Sequence, residues 1–502
     1  MAHGRKVRNG CGLPEWPQDL RRPGALSFRV ELELEQGMDS IEEARFSAVW
    51  SGGDERILLD PVRKVNRYGL NPIYHDNMFY RGSCTCGTLT QDTRPIAEQA
   101  LDRWNNTSDT STAWAEEQRG RLEALIGGRV PFDTFFAPSG TDLLYLPLLI
   151  ARAMSDRPIL NVLSCPEELG SGSRLAVAGK YFSRLTATGA EADQGAAVSA
   201  ELVGEVVELP ARDEHGHVMQ RKSAIEWLIR QHQDKTVIVH LVFGSKSGIR
   251  DDLDVIAARP HVLWTVDLCQ FRADPELIGY LLAKGVMVLI TGSKFYQAPP
   301  FCGALLAPAM LSDAAGPWPV EAAKTMGKIF VKSDFPLRFK ELREAVPVVN
   351  NPGSRLRWEC ALWQMEACDR VDRAQFIKAI EDWNANIVEA IASLQALELI
   401  PDQAKTNDSI VSFRVRAGGR YFNREDMDVL FRTITTKDWT EEFGWKRIFI
   451  GQPVNYGERA FIRVALGAQA ARLAVEQGNG WSEDRRMMGL IARTAETMMG
   501  LS

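Results

Sequence analysis

The apolar positions of this chain fall into short runs separated by amphipathic stretches, and the pattern changes along its length. Up to about Glu55 no period is sustained, and Pro, Gly and mixed charge dominate. An extended-looking piece, RILLDPVRKVNRYGLNPIY, follows. From about Arg94 helix and strand alternate. The pattern predicts helix over 94–126, a short strand over 134–137, and a helix opening at Ser139–Thr141. Leu143, Leu144, Leu148 and Ile150 give that helix a broad apolar face. Strand-length runs follow at 158–163, 205–209, 236–242, 262–266, 286–291 and 304–307. Several are rich in Val, Ile and Leu without alternation, as in parallel strands buried on both faces. Helices at 222–231, 253–258 and 275–283 supply crossovers. The expected fold class is therefore α/β, a mostly parallel sheet flanked by helices. Beyond about Ala345 the pattern turns helix-rich and then mixed, with strands at 410–415 and 461–464, as in a smaller α+β domain.

Composition narrows the class. The chain has 502 residues, 45% apolar and 25% charged, with 59 Lys+Arg against 65 Asp+Glu and a net charge of −6. This is an ordinary globular profile and excludes a disordered, collagen-like or disulfide-scaffold protein. Mild acidity argues against sequence-independent nucleic-acid binding, which needs a basic face. Single cores stop growing near ~250–300 residues, so more than one domain is expected. The divisions read as an N-terminal extension with a substrate-facing loop (1–85), a large α/β domain (86–344) and a small C-terminal domain (345–502).

The eight cysteines include no C-x-x-C pair, and Cys84 and Cys86 alternate in an extended stretch, pointing to opposite faces. Reduced thiols in a cytoplasm are the expectation, and no metal site is implied. The first residues, MAHGRKVRNGCGLPEWP, carry positive charge without a following apolar region, unlike a secretory signal. No apolar run approaches the ~18–20 residues of a membrane span. The reading is a soluble cytoplasmic protein.

Three short pieces carry candidate chemistry. In PSGTD, 138–142, Gly140 and Thr141 place backbone N–H groups and a hydroxyl at a helix start, a ready anion site. The plain alternative is a helix capped by Ser139 or Thr141. In TVDLCQFR, 265–272, Asp267 closes an apolar strand at the carboxyl edge of the sheet, where α/β sites form, and Gln270 follows. Its plain alternative is a carboxylate capping the next helix. In LITGSKFYQAPPFCGALLAP, 289–308, Lys294 directly follows a buried strand and a Gly-Ser turn, where an ammonium is costly unless paired or chemically employed. One strand–helix–strand step separates Asp267 from Lys294, so both emerge at one sheet edge.

At these residues the chain resembles the fold-type-I pyridoxal-phosphate enzymes, most nearly the class V aminotransferase-like group that includes cysteine desulfurases and kynureninases. The resemblance covers roughly residues 80 to 470. It implies that Gly140, Thr141 and Ser293 hold the cofactor phosphate, Asp267 pairs with the pyridine nitrogen, and Gln270 lies near the ring hydroxyl. Lys294 becomes the Schiff-base lysine. FGSKSGIRDDLDVI, 243–256, is similar to a loop facing the cofactor ring, with Ser245 where relatives often carry Asn. NNPGSRLRW, 350–358, is similar to a segment that reaches a neighbour's phosphate across a dimer, which brings in Ser354. AFIRVALGA, 460–468, looks like the strand whose arginine holds a substrate carboxylate, here Arg463. RGSCT, 81–85, is expected to fold over the site, with Ser83 and Thr85 facing substrate.

The family thus implies pyridoxal 5'-phosphate, an amino-acid substrate attacked at Cα, and a homodimer. Two departures stand out. SCPEELGSGS, 164–173, offers no aromatic or His where relatives stack one on the ring, and the first 80 residues have no counterpart. They tilt the expectation toward a transferase of specialised biosynthesis. β- or γ-elimination or replacement, including carbon–carbon bond formation, is the alternative, and a non-catalytic protein keeping the fold is another. A nucleotide site is disfavoured, because Gly292-Ser293-Lys294 follows a strand instead of leading a helix.

Overall fold

The computed structural model describes residues 47–61, 65, 66, 68, 70, 77–82, 87–106, 111–127, 130–270, 274–402, 408–456, 459–478 and 480–500. After a first short strand, β1 (Met78–Arg81), the unalternating apolar runs become a sheet. Its strands are β2 (Phe132–Ala137), β3 (Ile159–Ser164), β4 (Gly204–Leu209), β5 (Thr236–Val242), β6 (Val262–Asp267), β7 (Val286–Thr291) and β8 (Gly303–Pro308). Among the described residues the order is β2-β8-β7-β6-β5-β3-β4. Strands β7 through β4 pair in parallel, and β8 runs antiparallel to both of its neighbours.

Successive side chains of one strand serve two cores, as the two-residue period requires. Val237, Val239 and Leu241 of β5 join one buried cluster, and Ile238 and Val242 join the other. Helices α1 (Thr93–Asn106) and α2 (Ser111–Ile126) cover the first side, and α3 (Tyr145–Met154) covers the second. Three further helices belong to the first side: α4 (Lys222–Gln231), α5 (Pro275–Ala283) and α6 (Pro352–Asp369). This is the expected α/β fold. β4 departs from the doubly buried pattern because it is an edge strand, partly exposed along its length.

A second, six-stranded sheet follows α7 (Arg373–Ser393). Its strands are β1, β9 (Leu397–Leu399), β10 (Ile410–Ala417), β11 (Arg420–Tyr421), β12 (Arg447–Tyr456) and β13 (Arg459–Ala465), on the path β1-β12-β13-β10-β11 with β9 beside β10. Helix α7, α8 (Arg424–Thr436) and α9 (Ser482–Met498) bury a third cluster against it. β12 was illegible as a strand because Gly451 and Pro453 interrupt it, and its register with β13 shifts between Gly451 and Val454.

Two helical expectations need correction. The expected helix at 253–258 is a single 3-10 turn, Leu253–Val255, after which Ile256 is extended (φ −67°, ψ 110°). Adjacent β-branched residues and a nearby proline, Pro260, oppose a longer helix there. The stretch 94–126 is two helices, Thr93–Asn106 and Ser111–Ile126; the sequence between them is made of Thr, Ser and Asp, residue types that disfavour helix interiors.

The N-terminal stretch, patternless in sequence, is bound into the core from Ser47. Val49, Trp50 and Ile57 are buried in the first cluster. Arg357 of α6, itself buried, donates to the carbonyls of Val49 (2.8 Å) and Phe301 (2.7 Å), and Asn351 donates to Gly52 O (2.7 Å). Among the described residues no helix is long and apolar enough to cross a membrane.

Candidate active site

β7 ends at Thr291, and Gly292 and Ser293 lead to Lys294 in a tight turn. Gln297 N donates to Lys294 O (3.1 Å) and Ala298 N to Gly292 O (3.2 Å), with Gln297 left-handed at φ +55°. A Cβ on Gly292 would stand 2.4 Å from Ala361 Cβ, so glycine is what lets the turn lie on α6. Ser293 is buried, and its Oγ has no hydrogen-bond partner among the described residues. Lys294 is half-buried, and no hydrogen bond or ion pair to its Nζ is present among the described residues.

Asp267 closes β6, the parallel neighbour of β7, at the same edge. Its Oδ1 accepts from Cys269 N (2.7 Å). The Cys269 thiol lies within electrostatic reach of both groups: burial raises it, the Asp267 carboxylate raises it further, and the Lys294 ammonium opposes them. Gly140 closes the triangle. A Cβ there would stand 3.0 Å from Thr291 Cγ2 and 3.3 Å from Cys269 Sγ. The three motifs picked out from the sequence therefore meet at one sheet edge. Gln270 is buried in the turn after Asp267.

The Gly140–Thr141 turn is held from both sides. Ser139 Oγ accepts from Thr141 N (3.2 Å) and Asp142 N (3.3 Å), as a helix cap does, and donates to Asp142 Oδ2 (2.6 Å). Arg56 reaches the same turn from the N-terminal stretch: Nη2 donates to Ser139 Oγ (3.1 Å) and Nη1 to Thr141 Oγ1 (3.4 Å). Asp54 holds Arg56 through Nε (2.7 Å) and Nη2 (2.5 Å), and the guanidinium lies over Phe301 (4.4 Å) and Phe182 (5.2 Å). Sequence reasoning missed Arg56, because an Asp-Glu-Arg run amid Gly and Pro reads as solvated charge.

Burial raises the Asp142 carboxyl to about 7, with Asp54 adding to the rise and Ser139 and Arg56 opposing it; Asp334 also raises it. The native state therefore keeps a proton that the unfolded chain releases near 4. Stability from this group is full below about pH 4 and is lost as pH rises through 7. Asp142→Asn keeps the acceptor for Ser139, so its melting temperature is expected to fall less than that of the parent between pH 5 and 8. Parallel slopes in the two proteins would contradict this assignment.

Other expected site residues are placed as follows. Ser245 Oγ donates to the buried Glu168 carboxylate, which also accepts from Ser247 N (2.8 Å) and lies 3.7 Å from Arg212. The loop expected to carry a ring-stacking residue thus supplies a carboxylate to the Ser245 loop. Ser354 is buried in the first turn of α6; its N–H donates to Asn351 Oδ1 (3.0 Å) and its Oγ accepts from Arg355 (3.3 Å). Among the described residues no hydrogen bond joins it to the Lys294 turn. Arg463 is buried on β13 and donates to Gln452 O (2.6 Å). The chain leaving β13 meets the lysine turn: Ala468 N donates to Phe295 O (2.8 Å) and Gln469 N to Gln297 Oε1 (3.1 Å). Ser83 and Thr85 lie outside the described residues, although Arg81 before them pairs with buried Asp484 (2.6 Å), and Gly87 after them packs on the Gln297 and Ala298 carbonyls.

No protein-family model matches the chain, and no curated protein matches it by sequence. Solved structures do match by fold. A NifS-like protein from Rickettsia africae is 12% identical with a TM-score of 0.52, over 83% of this chain and 99% of that one. Oryza sativa TDC with PLP is 14% identical with a TM-score of 0.52, over 95% and 92%. Mouse CSAD is 16% identical with a TM-score of 0.51, over 84% of each chain. The sheet order, the strand-end lysine turn and these likenesses together give the chain the architecture of the fold-type-I pyridoxal-phosphate enzymes.

Proposed function

We propose that the chain is a pyridoxal 5'-phosphate enzyme acting at Cα of an amino-acid substrate. The observation that carries this reading is Lys294, a half-buried amine without a hydrogen-bond or ion-pair partner among the described residues, at the same sheet edge as Asp267 and Gly140. The residues present fit the cofactor. Ser293 Oγ is a buried hydroxyl with no partner among the described residues, Gly140 brings its turn close against Thr291 and Cys269, and Asp267 would offer a carboxylate to a ring nitrogen.

When bound, the cofactor accepts the electron pair released at the substrate Cα. The chain's residues do the rest. Asp267 would hold the ring nitrogen protonated by a charge-assisted bond, with Gln270 near the ring hydroxyl. Gly140, Thr141 and Ser293 would fix the phosphate; Ser245 and Ser354 belong to the outer part of this reading. Lys294 Nζ would bind the aldehyde and then move the Cα proton as a general base. Arg463 would fix the substrate carboxylate, and Ser83 and Thr85 would face the substrate.

A large cofactor-binding domain at 86–344, a small domain at 345–502, a substrate-facing extension at 1–85, a cytoplasmic location and a homodimer are part of the same reading. The reaction we favour is transamination or group transfer in specialised biosynthesis. Loaded enzyme given candidate amino donors, with products followed by mass spectrometry, tests it. Stoichiometric conversion of the cofactor to its amine form, or transfer of a substrate group, is expected. Release of a leaving group with the cofactor aldehyde unchanged would favour elimination instead.

A further inference from the structure

We propose that Arg56 is a phosphate-binding residue of this site, delivered by the N-terminal extension of the same chain. The inference rests on the pyridoxal-phosphate reading and names what the extension contributes to it. Arg56 is buried, and three of its polar edges are accounted for: Asp54 takes Nε and Nη2, and Ser139 Oγ also accepts from Nη2. Nη1 has one long bond, to Thr141 Oγ1 at 3.4 Å. A guanidinium nitrogen carries two hydrogens, so Nη1 retains an unused donor.

The Thr141 hydroxyl is in the same condition. Its oxygen accepts from Arg56, so its hydrogen must be donated elsewhere, and no acceptor is bonded to it among the described residues. Ser293 Oγ, two residues beyond the Thr291 methyl against which Gly140 packs, is a further buried hydroxyl without a partner among the described residues. Buried donors left unmet are costly; Arg56 Nη1 and the Thr141 hydroxyl share the Gly140 turn, Ser293 follows the strand end that packs on it, and donors so placed fit an anion. The nearby carboxylates are already engaged: Asp54 by Arg56, and Asp142 by Ser139. The rings of Phe301 and Phe182 fix the guanidinium plane, and Arg357 and Asn351 hold the segment that delivers it. The extension is thereby part of the binding site.

The test compares two ligands differing only in the phosphate. Dissociation constants for pyridoxal 5'-phosphate and pyridoxal are measured by absorbance on the full chain, its R56Q variant and its R56K variant, with thermal unfolding of each apo protein as a check of fold. The parent is expected to prefer the phosphorylated ligand, and R56Q to lose at least tenfold of that preference while its affinity for pyridoxal is unchanged. R56K keeps the charge but cannot hold Asp54 and Thr141 together. It is expected to lose severalfold of the preference, and it carries the test if R56Q does not fold. An unchanged preference in a folded variant, or an equal loss for both ligands, overturns the role of Arg56 and leaves the cofactor reading standing. A parent protein that binds neither ligand overturns both.

Discussion

Asp267→Asn is expected to slow turnover by roughly 10²- to 10³-fold or more, from the loss of a close charge pair worth about 3–5 kcal/mol and about 1.4 kcal/mol per factor of ten. Asparagine keeps a side-chain oxygen to accept from Cys269 N, so the turn after β6 is preserved. The negative charge that would hold a ring nitrogen protonated is gone. Cofactor binding should weaken, and the melting temperature of the apo protein should barely move. Turnover and melting curves on the same preparation separate these effects. A variant with full turnover would remove Asp267 from the cofactor site; one that unfolds would make its role structural.

Lys294→Ala is expected to have the larger effect. Its amine would serve both as the attachment point and as the proton carrier, and positioned acid–base groups alone contribute ~10²–10⁴-fold. Turnover should fall by at least that factor, and the visible absorbance of the loaded protein should vanish. Stability should change little, because Nζ makes no hydrogen bond or ion pair among the described residues. A variant that stays coloured and active would mean that another amine carries the aldehyde.

The sheet was legible because burial on both faces leaves short runs rich in Val, Ile and Leu, bounded by turn residues. The runs at Thr236–Val242 and Val286–Thr291 and the helix at Pro275–Ala283 begin and end where their sequence patterns do. Asp267 and Lys294 could be paired because a parallel crossover returns the chain to the same edge. What stayed hidden depends on distant partners. Arg56 acquires meaning from Asp54 together with Ser139 and Thr141, more than eighty residues away. Glu168 takes its role from the Ser245 loop, more than seventy residues away, which bonds its carboxylate. β1 is four residues long and is a strand because β12 lies beside it. Local pattern cannot carry such information, since the stabilising contact lies outside any window of sequence.

The most direct test of the account is chemical trapping. The full chain is loaded with pyridoxal 5'-phosphate, reduced with borohydride, digested and mapped by mass spectrometry. A single stoichiometric adduct on the peptide carrying Lys294, absent from Lys294→Ala, is expected. An adduct spread over surface lysines, or none at all, would contradict it.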